Sequence, residues 1–261
     1  MTAIDRRIAV RRVTVRETGA RRNLRHLSIA LFFILTVGLI AMLLNSPVMA
    51  IRDIEITGAQ RADIDRVLYR YQVEVGVPTI SIRPDDLVAG IEQDPWVARA
   101  QAIVSWPGTV SVVVLEHEPI AWAEIGGQWY RVSGTGAILE ESEPAKRGAR
   151  VELRGVSGQL GEVIRGKRAI AALEFFSVLP DELRRRAVIT SGGNGTLIAR
   201  IRGHLVDLGS PDDMVAKAAT LAALFEEGIP AKAAISLVSP SRPAITPKSK
   251  SVRKSQQVIE G

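Results

Sequence analysis

The sequence predicts an α+β chain carried by a single N-terminal membrane helix. Three observations predict it. Leu27 to Leu44 (LSIALFFILTVGLIAMLL) is a run of eighteen residues without a charge. Residues 50–117 show strand and helix periodicities in the order β-α-α-β-β. From Glu118 onward, short strands parted by glycine turns dominate, with helices between them, which reads as a β-rich second domain.

A helix over the apolar run comes close to crossing a hydrocarbon core of roughly 30 Å, and tilt or local thinning absorbs a small mismatch. Buried core helices rarely run this long without a polar stripe. The arm before it holds Arg6, Arg7, Arg11, Arg12, Arg16, Arg21, Arg22 and Arg25 against Asp5 and Glu17, so it carries the whole net charge of +6. Arginine-rich flanks stay in the cytoplasm. The expected topology is therefore a single-pass membrane protein: residues 1–26 a cytoplasmic arm, 27–49 the span, and the bulk outside. The high isoelectric point then reflects topology and attraction to anionic lipid, not nucleic acid. The rival reading is a cleaved signal peptide ending at Val48-Met49-Ala50. Its arm would be long for such a peptide, and its apolar run exceeds the usual ~7–15 residues, which favours an uncleaved anchor. There is no cysteine. The external part must hold by its core alone, without disulfides, thiolate metal sites or cysteine nucleophiles.

Within 50–117, Ala50 to Thr57 reads as a strand, with Ile54 and Ile56 alternating against Asp53, Glu55 and Thr57. Ile64, Val67, Leu68 and Tyr71 give one helical stripe, and Leu87, Val88 and Ile91 another. Pro84 suits the second helix's first position, and Asp85 and Asp86 suit its positive end. Val97 to Trp106 is a strand with Ala98, Ala100, Ala102 and Val104 on one face. Pro107-Gly108 is expected at the centre of a type II turn. Thr109 to Glu116 follows with Val110, Val112 and Val114 inward, while Val113 and Leu115 suggest a strand covered on both sides.

The second domain is expected over 118–246. Pro119 to Ile125 and Gln128 to Val132 flank Gly126-Gly127 as a hairpin. Ser133 to Gly136 turns into Ala137 to Glu140, and Glu141 to Arg150 is a polar loop. Gly166 to Leu179 is a helix with Ile170, Leu173 and Phe176 or Ser177 along one side. Ala187 to Thr190 and Thr196 to Arg202 form a second hairpin, and Leu205 to Leu208 a further strand. Ser210, Pro211 and Asp213 mark the start of a helix striped by Met214, Ala218, Leu221 and Phe225 and ended by Gly228. Ala233 to Val238 is the final expected strand. The prolines after it lead to a tail, 247–261, expected to be disordered.

No chemistry stands out. His26, His117 and His204 are far apart, and no metal-ligand spacing occurs. Gly161 to Arg168 resembles a phosphate loop but has Arg168 where a hydroxyl must bind magnesium, so it reads as a turn opening a helix. No catalytic, cofactor-binding or metal residue is assigned, and neither nucleic acid nor a small-molecule substrate is implied.

The ordered set of motifs does carry a resemblance. Gly76-Val-Pro-Thr-Ile-Ser-Ile82, Asp94-Pro-Trp-Val97 and Ser105-Trp-Pro-Gly108 look like the POTRA signature of the bacterial division family FtsQ/DivIB. Glu116-His-Glu-Pro-Ile-Ala121 resembles that family's exit into its second domain. Leu208-Gly-Ser210 and Lys217 resemble its later pattern. The chain departs from it at Ser133 or Thr135, and at Ala233 or Ala234, where the family often has aspartate. The resemblance implies a POTRA domain followed by a β domain, no enzymatic activity and no cofactor. It also implies a scaffold at the septum that binds FtsB/FtsL-like partners and through them the synthase FtsW–FtsI. It further implies that an FtsB-like chain adds as a strand to Ala233, Ala234, Ile235, Ser236, Leu237 and Val238, expected to be a sheet edge because prolines follow. The alternatives are another POTRA-type envelope adaptor or a membrane-anchored cell-wall hydrolase.

Overall fold

A computed structural model of the chain describes residues 25–43, 46 and 49–247. Most of the basic arm, up to residue 24, and the tail from 248 on lie outside the described residues. The described chain divides into two compact units. One holds the residues up to Thr57 with Asp65–Val88 and Gln101–Val112. The other holds Gly58–Ile64, Ala89–Ala100 and the residues from Val113 on.

Helix α1 (Arg25–Leu43) is long and apolar enough to cross a membrane, and no residue of its apolar window is buried. An all-round apolar helix that is exposed suits lipid as its solvent. Its Thr36 hydroxyl donates to the Phe32 carbonyl at 2.8 Å, so this polar group is satisfied within the helix.

The β-α-α-β-β order follows as β1 (Asp53–Thr57), α2 (Ile64–Arg70), α3 (Pro84–Ile91), β2 (Val97–Ser105) and β3 (Thr109–Glu116). The strands lie in the order β1-β3-β2. The expected stripes are buried: Ile64, Val67 and Leu68 on α2, Leu87 and Ile91 on α3, and Val110, Val112 and Val114 on β3. Three expectations are corrected. Val113 and Leu115 are 47% and 64% exposed, so β3 is covered on one face only. On β2, Val97 and Ala100 point inward while Ala98 is exposed. The turn after β2 has a cis peptide bond at Trp106-Pro107, and the Gly108 N–H donates to the Ser105 carbonyl at 3.1 Å. Trp106 and Pro107 are thus its central pair, and a cis proline at the third position belongs to a type VI turn, not type II.

Two carboxylates hold the loop that leads into α2. The N–H groups of Gln60, Arg61 and Ala62 donate to Glu116 Oε1 at 2.7, 2.7 and 2.9 Å. That of Asp63 donates to Asp94 Oδ2 at 3.3 Å, and Asp94 Oδ1 accepts the Trp96 N–H at 2.9 Å. Desolvation pushes the Glu116 carboxyl up, but the three N–H bonds and the Arg61 charge outweigh it and hold it below the ordinary glutamate range. A carboxylate depressed in the fold stabilises above its unfolded pKa, and that contribution is lost as pH falls through the folded pKa. Glu116→Ala is expected to cost about 1–2 kcal/mol near neutral pH at this partly exposed site. The gap to wild type should close on acidification below the glutamate range, and denaturant melts at the two pH values measure it.

The remaining strands are β4 (Pro119–Ile125), β5 (Gln128–Ser133), β6 (Ile138–Glu141), β7 (Arg150–Glu152), β8 (Val188–Ser191), β9 (Leu197–Ile201), β10 (His204–Gly209), β11 (Ala234–Ser236) and β12 (Ala244–Thr246). They form one sheet in the order β12-β11-β10-β9-β8-β7-β4-β5-β6. Register aligns a buried row across six of them: Ala123, Val151, Ile189, Ala199, Val206 and Ile235. Helices α4 (Lys167–Val178) and α6 (Met214–Glu227) pack against each other and close this core with Leu173, Phe175, Phe176, Met214, Ala218 and Leu221. The short α5 (Asp181–Arg184) buries Leu183. The Gly126-Gly127 hairpin is as expected, with φ of 62° and 87° at its two central residues, the pair a type I′ turn requires.

Four expectations fail in this region. The polar loop ends in a strand, β7, running parallel to both β4 and β8. On α4, Ile170 is exposed and the inward face is alanine-rich. Helix α6 begins at Met214, not Pro211, and its N-cap, Asp213, sits in the left-handed region without a side-chain bond. The buried Lys217 ammonium donates to the Ser210 carbonyl at 2.8 Å, which engages the residue expected to start the helix. The fourth is β12, which lies where only a proline-rich exit is expected.

Candidate partner-binding edge

Several contacts position the C-terminal side of the large sheet. His204 opens β10. It is buried, its Nδ1 lies 3.1 Å from the Ala233 carbonyl, and its ring meets Phe225 of α6 edge-on at 5.3 Å. It is thus a satisfied core histidine that fixes the start of β11. At the other end of β11, the Leu237 N–H donates to the Asp207 carbonyl at 2.7 Å. Asp207 Oδ1 in turn accepts the Gly209 N–H at 3.0 Å. Beyond β11, the Thr220 hydroxyl of α6 donates to the Pro240 carbonyl at 3.2 Å and leads the chain back towards the sheet.

The residues expected to bind a partner fall as their alternation predicts. Ala233, Ile235 and Leu237 are buried, Ala234 and Val238 are exposed, and Ser236 is half-buried. They are not the edge. β11 pairs in parallel with β10 and antiparallel with β12, through Ala234↔Thr246, Ile235↔Ile245 and Ser236↔Ala244. Among the described residues the edge strand is β12, whose three residues are all exposed.

Which backbone groups face outward follows from one bond. Because Leu237 donates to β10, the polar groups of Ile235 share that direction, and those of Ala234 and Ser236 face β12. Thr246 and Ala244 are therefore the hydrogen-bonded partners on β12, and the N–H and C=O of Ile245 point away from the sheet. Pro243 and Pro247, two residues to either side, carry no N–H. The edge thus offers carbonyls and a single amide, which protects it from indiscriminate pairing. Beside it, on the sheet's outer face, a depression of about 230 Å³ is lined by Ile198, Leu205, Asp207, Ala234, Ser236 and Ala244. A strand laid along β12 would set alternate side chains towards it.

A depression of about 580 Å³ carries Arg147, Arg185, Arg186, Arg200, Arg202 and Glu182, a charged surface without a nucleophile–base pair. His26 lies in α1, and His117 gives its backbone N–H to the Trp96 carbonyl at 2.8 Å. Among the described residues, no group of three or more His, Cys, Asp or Glu side chains could hold a metal ion.

Comparison with known proteins gives this architecture its relatives. Residues 49–117 match the family model of the POTRA domain, FtsQ-type. A cell division protein FtsQ of Myxococcus fulvus is 26% identical over 186 residues, 66% of this chain and 63% of the relative. An FtsQ of Streptomyces griseus is 26% identical over 69% of this chain and 91% of its own length. A cell division protein DivIB of Clostridium botulinum is 20% identical over 61% of this chain and 64% of its own. The match thus spans less than two thirds of the Myxococcus and Clostridium proteins. The chain thus carries an FtsQ-type POTRA domain behind a helix long and apolar enough to cross a membrane, and over most of its length it is similar to cell division proteins FtsQ and DivIB.

Proposed function

We propose that the chain is a non-enzymatic scaffold of the bacterial division machinery. Its arm, 1–26, is cytoplasmic, and 27–49 crosses the inner membrane. The POTRA domain, 50–117, and the β domain, 118–246, stand outside at the septum, and 247–261 is a tail. An FtsB/FtsL-like partner is held at the C-terminal side of the large sheet, and through it the septal synthase FtsW–FtsI is regulated. The observation that carries this reading is the outward side of β12, the edge strand among the described residues. Its outward backbone groups sit on a strand held by β11, with an apolar depression alongside. A partner strand would draw affinity from the backbone and selection from alternate side chains. The role of Ala233 to Val238 becomes that of the strand which presents β12, with Ala234 and Ser236 also lining the depression. Tagged full-length chain should co-purify an FtsB-like protein from membranes, and a fluorescent fusion should gather at the division site. Diffuse label together with no FtsB-like partner would overturn the scaffold. Hydrolysis of purified peptidoglycan by the external part would favour a hydrolase instead.

A further inference from the structure

Three exposed apolar side chains stand on the two loops that clasp Met49–Arg52, the segment that follows α1 in the chain. The segment Met49–Arg52 is clasped on two sides. On one, Ala50 bridges to Pro78, the Ile51 N–H donates to the Val77 carbonyl at 2.8 Å, and the Gly76 N–H donates to the Ile51 carbonyl at 2.8 Å. The Thr79 hydroxyl donates to the Met49 carbonyl at 2.8 Å. On the other side, the Arg52 N–H donates to the Gly108 carbonyl at 2.7 Å. A Cβ on Gly108 would stand 2.3 Å from the Ala50 carbonyl oxygen, so only glycine lets this turn come so close. Ala50 and Ile51 are buried by the clasp. The tips of the two loops are not: Val75 is 68% exposed, Ile80 52% and Trp106 55%.

Ala50 stands seven residues after Leu43, the end of α1, a reach of at most roughly 25 Å even fully extended. Loop tips clasped to that segment are therefore kept beside the bilayer surface. Three apolar side chains, one a tryptophan, suit the water–lipid interface, where the indole body is apolar and its N–H stays wet. Of the exposed charges nearby, Arg52 and Arg83 are outnumbered by Asp53, Glu74, Asp85 and Asp86, and Arg83 already pairs with Asp86 at 3.7 Å, so no net positive charge is offered to anionic lipid. The attraction is apolar and needs no anionic lipid.

We propose that Val75, Ile80 and Trp106 form a second, interfacial membrane contact that seats the POTRA domain on the bilayer. It rests on reading α1 as a membrane anchor. The test uses full-length protein in phosphatidylcholine vesicles with bromine on acyl carbons near the headgroup. The chain's four tryptophans, Trp96, Trp106, Trp122 and Trp129, all lie beyond α1. Emission should drop by roughly one tryptophan's share in brominated against plain vesicles, with the same drop when anionic phosphatidylglycerol is added. Trp106→Phe should abolish the drop. Ile80→Asp, which keeps the fluorophore, should reduce it. Equal quenching in wild type and Trp106→Phe would overturn the proposal, as would no quenching in protein that floats with the vesicles after an alkaline wash. Protein that washes off would overturn the anchor itself and the contact with it.

Discussion

Trp96→Ala should lower the unfolding free energy by about 3–5 kcal/mol, the range for truncating a buried aromatic. Trp96 is only 8% exposed and packs with Ala137, Leu139 and Ala62. The Arg61 guanidinium lies over its ring at 4.7 Å and that of Arg131 at 6.0 Å. Arg131 also covers Trp122 at 5.3 Å and pairs with Glu140 at 3.0 Å, so the ring is one member of a chain of stacked groups. Two cation–π contacts at partly exposed sites add about 0.5–1 kcal/mol each to the lost burial. Because Ala137 and Leu139 lie beyond residue 117, a fragment ending there lacks two of these three neighbours. The measurement is denaturant unfolding of the chain from residue 50 onward. Trp106→Ala, exposed and at a turn, serves as the comparison and should change stability by no more than about 0.5 kcal/mol. An unchanged midpoint for Trp96→Ala would show that the ring contributes contact surface and not core.

Trp96 also marks what a sequence can and cannot disclose. Nothing in the sequence separates it from Trp106 at the other end of the same strand, yet one ring is buried and the other 55% exposed. Its neighbours across the fold are not readable either. Elements with strong local chemistry were legible: the Gly126-Gly127 hairpin, α3 from Pro84 and its two aspartates, and the Met214, Ala218, Leu221 stripe of α6. Those set by distant partners were hidden. β7 is three residues long and becomes a strand because β4 and β8 flank it. The start of α6 was misplaced because Lys217 reaches back to Ser210, a bond that no capping pattern announces. Val113 and Leu115 looked like a second buried face because apolar content alone does not say which face finds a partner. Glu116 was legible as a family motif, but its grip on three amides was not. The candidate edge was missed by one strand. Pro243 and Pro247 read as the end of regular structure, yet they flank a residue whose amide faces outward, where an edge strand tolerates proline on both sides.

That geometry sets the second large effect, a loss of partner binding from one backbone atom. Ile245→Pro removes the N–H that faces away from the sheet, so the β11–β12 ladder keeps its bonds at Ala244 and Thr246. The fold should survive, with circular dichroism and melting midpoint near wild type. A partner strand on this edge, however, loses the one amide that Pro243 and Pro247 leave it, and the proline ring stands where the partner's backbone must approach. Capture of an FtsB-like chain by the full-length protein should fall at least tenfold, the equivalent of about 1.4 kcal/mol. Ser236→Pro makes the informative contrast. Ser236 directs its N–H at β12, so proline there cuts an internal rung and loosens the edge strand. If the partner lies on β12, both variants lose binding, and only Ser236→Pro also loses stability. If the partner instead replaces β12 and pairs with β11, Ile245→Pro binds as well as wild type or better, while Ser236→Pro fails because its missing amide is the one the partner needs. Full binding by both, with both folded, would take the partner off this side of the sheet altogether.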